Sequence, residues 1–165
     1  MNERSRAWHW CAWGVFLLAV VLQACVAHRL RIGSGQPDFP LTIAVVAGAL
    51  GGPVVGANLG FAAGGATAGL SGEAVGTMFV SRTFLAWSAG AAIRRWIRPG
   101  IPVAIAAVGA ATVGGGLILA LAAPQLGTTR ILLATVSAVP WNMAIALPVA
   151  WLLASPRLAG GARAI

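Results

Sequence analysis

The chain has 165 residues, is 59% hydrophobic and only 8% charged, and carries a net charge of +8. Soluble domains carry about 25% charged residues, so this composition excludes an ordinary water-soluble fold. The length suits one compact membrane bundle without an added soluble domain, and residues 1–165 are expected to form a single transmembrane domain.

A helix needs about 20 apolar residues to cross the hydrocarbon core. The first is expected over about residues 8–28, with Trp8, Trp10 and Trp13 clustered at one end as interfacial aromatics. Arg29 to Pro40 carries charges, glycines and prolines and reads as a loop. A second helix over 39–51 meets Gly51-Gly52-Pro53. Proline favours a helix start over a helix interior, so a third helix is expected over 53–70, with one long helix kinked at Pro53 as the alternative. Ser71-Gly72-Glu73 turns the chain, and a fourth helix over 74–96 is ended by Arg98-Pro99-Gly100. A fifth is expected over 101–122 and, after a turn from Pro124 to Thr128, a sixth over 129–153. Pro140 and Pro148 lie inside the sixth and predict kinks, or a break near Pro140. The fold class is therefore an all-α integral membrane protein, a six-helix transmembrane bundle.

From Gly48 a small residue recurs at every fourth position: Gly48, Gly52, Gly56, Gly60, Gly64, Ala68, Gly72 and Gly76. In water each interior glycine would cost a helix about 1 kcal/mol relative to alanine. In lipid, helices associate where small residues let backbones approach. The ladder predicts close packing inside the bundle first, and docking of a partner second.

Every basic residue is an arginine, and the arginines scatter over helix ends without forming a stripe. That pattern excludes a nucleic-acid surface and reads as topology. With six spans, Arg4, Arg6, Arg94, Arg95, Arg98, Arg157 and Arg163 share one side, and Arg29, Arg31 and Arg130 the other. The excess places both termini in the cytoplasm, with Asp38 and Glu73 as polar groups of the outer face. Leu22-Gln23-Ala24-Cys25 resembles a lipoprotein cleavage site, but the apolar run is as long as a full span, so an uncleaved first helix is expected. Cys11 and Cys25 stand about 21 Å apart along one helix, too far to bond, and read as packing residues.

Catalysis needs acids, bases, nucleophiles or metal ligands in a constellation. Three acidic residues near helix ends or in loops, and two histidines at opposite ends of one span, do not form one. No metal-ligand spacing occurs, the glycine clusters lack the context of a phosphate loop, and neither catalysis nor a cofactor is expected. The residue that stands out is Arg82, about one-third along the fourth helix, where an arginine costs at least about 2.5 kcal/mol on insertion scales. It either snorkels or binds internal carbonyls, or it anchors the bundle from within by reaching Glu73 or Asn142. Asn58 and Asn142 are the other polar residues at depth, where asparagine bonds across helices.

These features, in this order, resemble the bacterial rod shape-determining MreD family. Pro37-Asp38-Phe39 is similar to the family's Pro-Asp-aliphatic start of the second helix, and Gly60-Phe61-Ala62-Ala63-Gly64-Gly65 to its Gly-Phe-x-x-Gly-Leu segment. Gly76 followed by Ser81-Arg82-Thr83, the closing Arg94-Arg95, and Trp141-Asn142 in the last helix continue the resemblance over residues 37–153. Two positions depart from it: Gly65 replaces the leucine, and Ala68 stands where the family often has an aspartate, so any role of that acid is lost or moved. The resemblance implies a non-enzymatic inner-membrane subunit of the cell-elongation machinery. It would bind a single-span MreC-like protein and, through it, MreB filaments and cell-wall synthases. The lipid bilayer is its surrounding partner, and a homodimer is compatible with the small-residue faces. The fold it implies is that of the S components of energy-coupling-factor vitamin transporters. A substrate-binding S component is therefore the alternative function, although the outer loops offer few groups to hold a polar vitamin.

Overall fold

The computed structural model describes residues 3–30, 34–72, 75–96, 98–123 and 127–155. They form six α-helices: α1 (Glu3–Cys25), α2 (Phe39–Gly51), α3 (Pro53–Ser71), α4 (Val75–Trp96), α5 (Ile101–Ala122) and α6 (Thr128–Ala154). Three stretches are long and apolar enough to cross a membrane: Ser5–Cys25, Ile101–Ala122 and Thr128–Ala154. Glycines dilute α3, and Ser81, Arg82 and Thr83 interrupt α4.

α2 is the axis of the bundle. It has 13 residues, about 20 Å of helix, and all but Leu50 are buried. It touches every other helix. A helix that is apolar on all sides is stable only when neighbours cover all of it. Its start is set by Asp38, whose carboxylate accepts the Leu41 N–H at 3.1 Å, and by Pro40 in the first turn.

α2 and α3 are separate helices joined by Gly52 alone. Gly52 has φ +97°, a conformation side chains rarely tolerate, and its N–H closes α2 on the Gly48 carbonyl at 2.8 Å. The chain reverses there, and Gly56 comes to lie against Gly48. One kinked helix would carry these two glycines apart.

α1 departs from the expected 8–28 in both bounds. It begins at Glu3 and ends at Cys25, and Ala27–Arg29 forms a 3-10 turn. Trp8 faces into the bundle and not out of it. It is fully buried with Ser5, Ala12, Phe16 and Ala19, and its indole N–H donates to the Leu153 carbonyl at 3.2 Å. These five residues share one helical face, at spacings of three and four, and that register decides which tryptophan is covered. Trp10 remains 76% exposed. Cys11 is half-buried against the core, whereas Cys25 is exposed and packs nothing.

α6 runs unbroken through Pro140 and Pro148, so of the two expectations for its prolines, a kink or a break, the break is absent. Both prolines lie on its exposed side. Apolar helices that pack on neighbours tolerate the lost backbone bonds better than isolated helices in water.

Candidate functional site

The small-residue ladder is spent on helix–helix contact over most of its length. A Cβ on Gly48 would lie 2.5 Å from the Ala86 carbonyl oxygen, one on Gly60 2.5 Å from that of Arg82, and one on Gly64 2.6 Å from the Phe79 Cα. Gly56 likewise meets the Ala86 carbonyl. From the other side, a Cβ on Gly90 would lie 2.7 Å from the Gly48 oxygen. The partners run in antiparallel register, so α3 and α4 touch backbone to backbone over about three turns, with α2 in the same seam. Ala68 is buried and its carbonyl accepts the N–H of Gly72, which ends α3 with φ +68°. Gly72 and Gly76 face open space, and no Cβ there would meet anything within 4 Å.

This seam fixes the backbone of Arg82 and delivers its side chain to the start of α2. The guanidinium is not bonded to Asn142: Arg82 Nη2 donates to Asp38 Oδ2, and Nη1 reaches the Met78 sulfur at 2.7 Å. Glu73 lies outside the described residues. The side chains of Arg82 and Asp38 are 11% and 20% exposed, so the pair is mostly withdrawn from solvent. Asn142, fully buried on α6, accepts the Asp38 N–H at 2.8 Å through Oδ1 and donates to Thr112 Oγ1 of α5 at 3.0 Å. Gln23 of α1 accepts the next backbone N–H, that of Phe39, at 2.9 Å. Asp38 is thus the centre of a network that ties α1, α2, α4, α5 and α6 together. Such networks specify one arrangement of helices, because each unpaired member would be costly.

Above this centre lies a cavity of about 450 Å³, the size of a small-molecule site. The 34–38 segment, the first half of α4, the second half of α5 and the first half of α6 enclose it. Gly35 makes the wall possible, since its backbone presses on Ser137 and Ala138 of α6. Among the described residues, the charged groups of the wall are Asp38, Arg82 and Arg130. Arg82 Nε is buried without a hydrogen-bond partner, as is Trp141 Nε1 on α6. Among the described residues, no group of three or more His, Cys, Asp and Glu side chains could hold a metal ion.

Asn58 was expected at depth within the packing, yet it is exposed on α3. The glycines at 56, 60 and 64 take the inner face of that helix, so position 58 falls on the outer one. Beside it, an apolar groove of about 460 Å³ runs between α3 and α4, lined by Phe61, Phe79, Phe84 and Trp87. The rings of Phe61 and Phe79 meet at 4.8 Å.

No family model, no curated protein and no solved structure matches the chain. What the sequence left undetermined was the partner of Arg82. One usable signal was present: Asp38 opens α2 at the end where α4 begins, so the two helices carry opposite charges to similar depth. Thr112 gave no signal, since a lone threonine in an apolar helix ordinarily bonds its own backbone.

Proposed function

We propose that this chain is a multi-pass, non-enzymatic subunit of the bacterial cytoplasmic membrane, working in the cell-elongation machinery as MreD-like proteins do. In this account it crosses the bilayer six times with both termini in the cytoplasm. The cavity end, with Arg29, Asp38 and Arg130, faces outward, and the end with Arg94, Arg95 and Arg98 faces the cytoplasm. One observation carries the reading. The three motifs behind the MreD resemblance, Pro37-Asp38-Phe39, Ser81-Arg82-Thr83 and Trp141-Asn142, meet at a single polar centre, although Asp38 is 44 positions from Arg82 and 104 from Asn142. Composition alone would have no reason to bring them together.

The seam supports a division of labour. With Gly48, Gly56, Gly60 and Gly64 covered by α4, a single-span MreC-like partner would have to use other surface, and the apolar groove beside Phe61 and Trp87 is one such surface. Through that partner the bundle would join MreB and the cell-wall synthases. Mild-detergent purification of the tagged native protein, followed by mass spectrometry of its companions, tests the proposal. Recovery of an MreC-like protein and cell-wall synthases is the expected result.

The cavity favours a second function, the substrate-binding S component of an energy-coupling-factor transporter. The loops are poor in ligand groups, but the helices below them supply a polar hollow of small-molecule size. Recovery of paired ATPases and a transmembrane coupling subunit in the same purification would establish that function in place of the first.

A further inference from the structure

The cavity is polar in an uneven way, and the unevenness says what would fit. Thr67, Ser81, Thr112 and Thr135 all line it, and each spends its hydroxyl proton on a carbonyl three or four residues back in its own helix. Their oxygens remain as acceptors only. The Asp38 carboxylate is engaged at both oxygens, by the Leu41 N–H and by Arg82. The amides of Gln23 and Gln36 remain as neutral donors, and the charged donors are two arginines. Arg82 lines the hollow and keeps a buried Nε–H without a partner, and Arg130 stands on the same wall at the first turn of α6. Among the described residues of the wall, one carboxylate thus faces two guanidinium groups, leaving one positive charge in excess. Leu41, Leu85, Leu119 and Ile131 give the wall an apolar part.

A buried guanidinium N–H without a partner is costly unless something accepts from it, and arginine suits carboxylate and phosphate above other groups. We infer that this cavity binds an amphipathic ligand bearing one anionic group, a phosphate or a carboxylate. The anionic group sits between Arg82 Nε and Arg130, and the apolar body lies against the leucines. The inference stands on the cavity alone and holds whether the bundle acts as a scaffold or carries cargo. The same chemistry is offered by a soluble metabolite and by a lipid headgroup.

The test uses the full chain in nonionic detergent micelles, with octyl phosphate as the soluble probe, dioleoylphosphatidic acid as the lipid probe and octyltrimethylammonium as the cationic control. The readout is the thermal unfolding midpoint against probe concentration. Octyl phosphate is expected to raise the midpoint saturably, and the cation is not. Arg130→Gln leaves the Asp38–Arg82 pair in place and should weaken apparent affinity about tenfold, the value of roughly one charge-assisted hydrogen bond. Its unliganded midpoint reports whether the fold is kept. Stabilisation by phosphatidic acid alone, lost in the same variant, assigns the anion to a lipid headgroup, and stabilisation by octyl phosphate assigns it to a soluble ligand. Equal shifts with the cationic control, no shift with either anionic probe, or undiminished binding by Arg130→Gln would each overturn the inference.

Discussion

α2 and α4 are held together in opposite ways in two regions. Along the seam, α2, α3 and α4 meet through glycine, backbone against backbone, with no polar side chain needed. At the start of α2, an ion pair joins α2 to α4 instead, beside an asparagine and a cavity. The seam tolerates nothing larger than hydrogen and leaves no room for chemistry. The polar centre tolerates space but no unpaired charge. The close approach at the first allows the second, because the α3 glycines fix the backbone turn that carries Arg82.

Substitutions should separate the two regions, and the largest effect is expected in the seam. In Gly56→Leu the new side chain would run into the Ala86 carbonyl, a backbone atom that cannot move aside without displacing α4. The loss should be at least about 3 kcal/mol, the upper part of the overpacking range, read as loss of a monodisperse species in detergent. Gly76→Leu, where no neighbour lies within 4 Å, should retain it. Equal behaviour of the two would break the distinction between seam and open face.

Asp38→Ala comes next. It strands the Arg82 guanidinium and removes the cap of α2, for a combined loss of about 3–4 kcal/mol in an equilibrium unfolding titration. Asn142→Leu should cost about 1–2 kcal/mol by the same measurement, since it unpairs the Asp38 N–H while leaving the ion pair. The smallest effect is at Gly69, an exposed helical glycine with nothing within 4 Å of a Cβ. Gly69→Ala should be neutral or stabilising by up to about 1 kcal/mol.

The seam was more legible than the polar centre. A four-residue spacing of glycines has one geometric consequence in a helix, a bare stripe, and the stripe from Gly48 to Gly64 lies where helices touch. Gly51-Gly52-Pro53 was legible as a helix boundary for the same local reasons, although a kink satisfied them too, and only the contact of Gly48 with Gly56 decides. What was not legible depends on rotation about a helix axis. Trp8 and Trp10 are two residues apart and end on opposite sides of α1, and Asn58 and Asn142, alike in sequence context, end exposed and buried. The partner of Arg82 was hidden because pairing over 44 positions follows from how α2 and α4 are placed, not from either segment. In α6 the local proline signals allowed a kink or a break, and only the break is excluded by the continuous helix.

The central claim is that Asp38 and Arg82 form one unit joining α2 to α4. A double-mutant cycle with Asp38→Asn, Arg82→Gln and the pair of substitutions together tests it, with stability read by equilibrium titration in mixed micelles. Each single variant should lose stability, and the double variant should lose less than the sum of the two. A coupling of about 1–3 kcal/mol is expected for side chains in direct contact. Additive losses, within about 0.5 kcal/mol, would mean that the two side chains act independently and would contradict the account.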